Sequence, residues 1–196
     1  MNRDEFHKRA WNYYLMLEKK FIQTLNYVEL STDNGATYSL EYAGLIQLIG
    51  SELDSFFKTY CGFKQDERKT ILDYYPKVIE KFPSIRSQIV SVPLGDMRIC
   101  PFDGWDGKKT GQSLKWWLAF DKIKHSRTEN PKEASQRNVI HCLAALFLLE
   151  MDYLRQITEK NGEPNIPDEE SSLFFLQGWN RNCFSLGKGT FGMISN

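Results

Sequence analysis

Apolar positions recur at helical spacing over most of the chain. Residues 3–28 place Phe6, Ala10, Tyr14, Leu17, Phe21, Leu25 and Val28 three or four apart, which predicts an amphipathic helix. The turn-forming "STDNGAT" at 31–37 interrupts it. A second helix is predicted from Ser39, a candidate N-cap, to Tyr60, with the stripe Tyr42, Leu45, Ile49, Leu53, Phe56 and Tyr60, and Gly62 as its stop. A third helical segment over 67–82 contains Pro76, which should kink or split it.

From 83 to 112 the periodicity lapses among prolines and glycines, and only "SQIVSV" and "MRICPF" suggest the short strands of a hairpin. A connection this long is more often functional than idle, so a lid is one expectation for it. Helical spacing returns over 113–127 and again over 132–160, where Ala134, Ile140, Leu143, Phe147, Met151 and Leu154 face one way. "NGEPNIPDEE" reads as a polar linker, and the tail to 196 as short strands or an extended arm. The expected architecture is mainly α: a bundle of about five helices over 1–160 with an irregular insertion at 83–112. A C-terminal extension, 161–196, packs on it as a short β or extended appendage.

Composition narrows the function classes. The 25 basic and 25 acidic side chains cancel, which excludes a protein whose whole surface coats nucleic acid and leaves room for a local basic patch. The longest apolar run, "CLAALFLL" at 142–149, is far below the roughly 18 residues a membrane span requires. The charged N-terminal stretch lacks the apolar core of a signal peptide. Cys61, Cys100, Cys142 and Cys183 form no C-x-x-C pair, so free thiols in a reducing cytoplasm are expected. No His, Cys and carboxylate set has metal-ligand spacing, and no cofactor is implied.

Chemistry concentrates in "SLKWWLAFDKIKHSR", residues 113–127. Trp116, Phe120 and Ile123 form one apolar face, with the tryptophans as core anchors. Asp121 and His125 are four apart and adjacent on the helix surface, so the carboxylate can orient the imidazole. Lys124 and Arg127 place cations beside that ring, although on a regular helix Arg127 projects about 160° away from His125. The two converge on one ligand only if the helix ends near Lys124–Ser126, or if two chains share a site. Residues 108–127 hold six basic side chains (Lys108, Lys109, Lys115, Lys122, Lys124 and Arg127) against one acid, Asp121, which makes a candidate phosphate surface. A plain alternative is a last helical turn whose cations complement the helix dipole. His141 interrupts an apolar run and reads first as a core histidine bonded to a neighbouring group; Arg137, one turn before it, keeps a polar site open. His7 reads as a surface histidine. "GKGTFG" at 187–192 fits G-x-G-x-x-G but lacks the following helix, and reads as a glycine-rich turn.

The block "WWLAFDKIKHSR", followed by a turn and "AxxxNVIHCLAALFLL", resembles the W-x-x-(Y/F)-(N/D)-x-x-K-H-x-R block of HEPN-like proteins, and "GSELDSFFKTYCGF" at 50–63 is similar to their second helix. The resemblance covers 3–158 apart from 83–112. It implies an all-α bundle pairing as a homodimer, and in many members a metal-independent endoribonuclease of toxin–antitoxin or antiviral systems, with an antidote or effector protein as a further partner. Under it, His125 is the general acid/base, Asp121 orients it, and Arg127 and Lys124 bind the scissile phosphate of RNA. Lys122, Arg137 and Lys115 extend the phosphate surface. The sequence departs from the family's Arg-Asn-x-x-x-His form in having Phe120 where arginine is usual. Another cation must then take over, or the protein keeps the fold without cleaving RNA and serves as a binding, sensor or interaction module.

Overall fold

The computed structural model of the chain describes residues 1–108 and 114–177; Lys109, Cys183 and the 187–192 glycine-rich stretch lie outside them. The fold is mainly α, with five helices and one small antiparallel sheet among the described residues. Helix α1 is a continuous rod of three segments, α-helical Arg3–Phe6, π-helical His7–Trp11 and α-helical Asn12–Thr24. Asn2 and Glu5 form a capping box at its start. The wide π turn keeps Phe6, Ala10, Trp11 and Tyr14 all on the buried side. Helix α2, Leu40–Cys61, begins as its sequence predicts: the Ser39 side chain accepts from the Tyr42 N–H at 3.0 Å, and Gly62, at φ +77°, ends it in the left-handed region.

Helix α3, Ile71–Lys81, runs through Pro76 as one helix, so the split expected as one of two outcomes does not occur. Pro76 is exposed, so its ring sits on the solvent side and forfeits one intrahelical hydrogen bond. Helix α4 is Lys115–Ser126 and helix α5 Gln136–Glu159. Helix α5 starts four residues later than its periodicity suggests, because Pro131–Glu133 forms a 3-10 turn and Ser135 supplies the cap. Every residue from Cys142 to Asp152 on α5 is buried, so this helix is the axis of the molecule, and α2 makes the most extensive contact with it.

The expected hairpin is present: β1, Val90–Val92, pairs antiparallel with β2, Met97–Ile99, in the register Val90–Ile99 and Val92–Met97. The third strand, β3 (Phe175–Leu176), comes from the C-terminal segment and pairs with the other edge of β1. The segment for which a lid was expected carries Val90, Val92, Ile99, Phe102 and Trp105 into the core. Phe102 meets Trp116 edge-on, and the Trp116 indole N–H donates to the Pro101 carbonyl at 2.6 Å. Residues 166–172 cross α1 through specific polar contacts: Trp11 donates to the Glu169 carbonyl, Arg3 pairs with Asp168, and buried Glu18 accepts from Tyr14, Ser171 and Ser172. No helix among the described residues is long and apolar enough to cross a membrane.

The approach of α4 to α2 depends on one small residue. A Cβ at Gly50 would fall inside the van der Waals envelope of the Phe120 ring, whose position is fixed by burial in the core. Gly50→Ala is therefore expected to lower stability by about 1–3 kcal/mol through overpacking, despite the higher helix propensity of alanine. Urea unfolding of the variant checks this; an unchanged or raised midpoint would show that α4 slides freely on α2.

Candidate functional site

Helix α4 separates its residues by face. Trp116, Ala119, Phe120 and Ile123 are buried, and Gln47 of α2 donates to the Ile123 carbonyl at 3.4 Å. That contact leaves Asp121, Lys122, Lys124 and His125 on the solvent side. The Asp121 Oδ1 lies 3.5 Å from the His125 Nε2, with the two side chains 61% and 67% exposed. The separation is longer than an N–H···O hydrogen bond, so the pair is aligned by helical spacing and not locked. Lys124 lies over the Phe120 ring, 5.5 Å from its centroid, which holds the ammonium near the helix surface.

Helix α4 extends through Ser126, and Arg127 keeps helical dihedrals (φ −55°, ψ −41°). Within one chain Arg127 and His125 therefore point about 160° apart, and the early helix end that would bring them together is not present. The backbone N–H and side-chain amide of Asn130 both donate to the Ser126 carbonyl, so the turn after α4 closes the helix without drawing on its cations. Arg127 is exposed and has no ion-pair partner among the described residues. Lys122 does have one: its ammonium lies 2.5 Å from Glu133, a surface ion pair with the lysine about half exposed.

The remaining predicted phosphate ligands are elsewhere. Lys115 is ten residues before His125 on α4, about 15 Å along the axis. Together with Arg137 it acts on His141. Burial pushes the His141 imidazole down to about 4, and the charges of Arg137 and Lys115 push in the same direction. The reading of His141 as a core histidine bonded to a neighbour is corrected: it is half-buried, has no hydrogen-bond partner among the described residues, and lines a cavity with Arg137 and Arg98. The sequence-defined basic residues thus divide into two places, Lys124, His125 and Arg127 at the end of α4, and Lys115 at the start of α4 with Arg137 and His141 in the first turns of α5.

Sequence reasoning missed Arg98, which borders one cavity together with the start of α5, and Glu150, a fully buried carboxyl. The signal for Glu150 was available, as a lone acid within "LAALFLLEM". Among the described residues no group of three or more His, Cys, Asp and Glu side chains is placed to hold a metal ion. Cys61, Cys100 and Cys142 are free thiols. Chemically, the end of α4 offers a solvent-accessible imidazole with an adjacent carboxylate and a nearby ammonium, a set able to move a proton beside an anion. No family model matches the chain, and no curated protein and no solved structure matches it either.

Proposed function

We propose that this chain is a HEPN-like protein that acts on RNA as a cytoplasmic homodimer, cleaving it without a metal in the manner of toxin or antiphage endoribonucleases. The observation that carries the reading is the exposed Asp121–His125 pair with Lys124 on the same helix end. A histidine retained for packing would be turned inward, and this one is not. His125 takes the proton of the RNA 2′-hydroxyl as that oxygen attacks the adjacent phosphorus. The P–O5′ bond breaks, and the imidazolium so formed returns its proton to the leaving 5′-oxygen. Lys124 and Arg127 oppose the charge that develops on the phosphoryl oxygens. Because Arg127 points away from His125 of its own chain, the reading requires two copies, with Arg127 of one serving the site that His125 of the other enters. An antidote protein covering this surface would silence it.

The test is direct. Purified protein incubated with single-stranded RNA in EDTA is expected to produce fragments ending in 2′,3′-cyclic phosphate and 5′-hydroxyl. Absence of cleavage, or cleavage abolished by EDTA, would sink the enzymatic reading. Phe120 favours one alternative: it fills the core where the family's arginine would stand, so no cation comes from that position. A protein that binds RNA or a partner protein through Lys124 and Arg127 but leaves the RNA intact would be the non-catalytic module.

A further inference from the structure

Separate from the α4 site lies a cavity of about 300 Å³ between strand β2, the 30–35 loop and the first two turns of α5. Its size is at the lower end of the roughly 300–1,000 Å³ range of small-molecule sites. Its walls are of two kinds. Leu30, Ile99 and Ile140 form an apolar side, while Arg98, Arg137 and His141 carry the polar side, against a single carboxylate, Asp96.

Arg98 and Arg137 have no ion-pair partner among the described residues, so no carboxylate of the chain already occupies either guanidinium. Arg137 also stands in the first turn of a 24-residue helix, where the positive end of the helix dipole disfavours a cation. It lies against the Gly35 backbone, where a Cβ would meet its Nη2 at 2.9 Å, so the loop leaves room for the guanidinium. Lys115 adds a further positive charge near His141. Two guanidinium groups and a helix N-terminus around one cavity repel one another until an anion enters, and the guanidinium fork matches phosphate oxygens in pairs.

We infer that this cavity binds a phosphomonoester, with Arg98 and Arg137 gripping the phosphate, His141 as the third contact, and the Leu30–Ile99–Ile140 wall covering an apolar body such as a nucleobase. A dianion held there opposes the effect of Arg137 and Lys115 on His141 and makes its ring easier to protonate. The groups facing that ring, Arg137 and Lys115, are both cationic, and Asp96 and Arg98 share the cavity.

The experiment titrates the whole protein with adenosine monophosphate and, separately, with inorganic phosphate, following the His141 ring by NMR and affinity by calorimetry. Either probe should perturb His141 and raise its proton affinity at least about tenfold above that of the free protein. Tighter binding of the nucleotide assigns the site to a phosphomonoester with an apolar body; equal binding assigns it to free phosphate, which keeps the anion site and overturns the wall's role. Arg98→Gln, at an exposed strand position, should weaken binding about tenfold or more, as should Arg137→Gln. His125→Ala should leave it unchanged, which separates this site from the proposed nuclease. The inference is overturned if millimolar amounts of both probes leave His141 unmoved, or if binding survives Arg98→Gln and Arg137→Gln at parental strength.

Discussion

His125→Ala is expected to reduce RNA cleavage by about 10²–10⁴-fold while leaving the fold intact. The size of the loss follows from the role proposed for the ring. A positioned general acid/base is worth that much, and no other imidazole is placed to replace it: His141 borders the cavity at the start of α5, and His7 lies on α1 with its Nδ1 2.8 Å from the Arg3 carbonyl. Stability should change by no more than about 0.5 kcal/mol, because the side chain is two-thirds exposed and contributes nothing to the core. Asp121→Asn tests the carboxylate separately. At 3.5 Å it aligns the ring without a full hydrogen bond, so its removal should cost much less than loss of the imidazole. Cleavage rates on one RNA, with thermal unfolding of the same preparations, decide the matter. If His125→Ala cleaves as fast as the parent, the site lies elsewhere on the molecule.

The sequence was informative wherever local chemistry decides structure. Ser39 and Gly62 mark the ends of α2 because capping and left-handed backbone are properties of one or two residues. The hairpin of β1 and β2 was visible as two short apolar runs flanked by proline and glycine. Pro76 does not split α3 because its ring lies on the side that faces water, which a proline rule alone does not reveal. The site was legible only along one helix. Asp121 and His125 meet, and Lys115 is set apart from Lys124, through spacing along α4 alone, whereas the place of Arg137 depends on how α4 and α5 pack. Arg98 borders the same cavity as His141 through the packing of the hairpin against the start of α5, a long-range property with no sequence marker. Similarly, nothing local joins Glu18 to Ser171 and Ser172, some 150 residues away, although that junction anchors the C-terminal segment to α1.

Glu150→Gln is expected to flatten a decline of stability with rising pH that the parent should show above about pH 4.5. Glu150 is 0% exposed on the central face of α5, and neither of its carboxyl oxygens has a hydrogen-bond partner among the described residues. Burial, and secondarily the charge of Glu52, raises its proton affinity well above the ordinary value of 4.5, so the folded protein keeps this carboxyl neutral. The unfolded chain ionises it near 4.5. Above that pH the unfolded state therefore binds fewer protons than the folded one, and stability falls as pH rises until the folded carboxyl itself ionises. The contribution of this one residue is up to about 1.4 kcal/mol per pH unit. Other raised groups, Glu52 and Asp152, add to the parent's slope, so the difference between parent and variant isolates Glu150. Glu18 shows why the neighbouring buried acid is a different case: it is 2% exposed but accepts hydrogen bonds from Tyr14, Ser171 and Ser172. Glu150→Leu should go further than the amide, because it also removes two unpartnered polar atoms from the core, a burial cost of about 1–3 kcal/mol. Urea unfolding between pH 5 and pH 9 measures both effects, and equal pH slopes in the parent and Glu150→Gln would mean that water or a donor reaches the carboxyl after all.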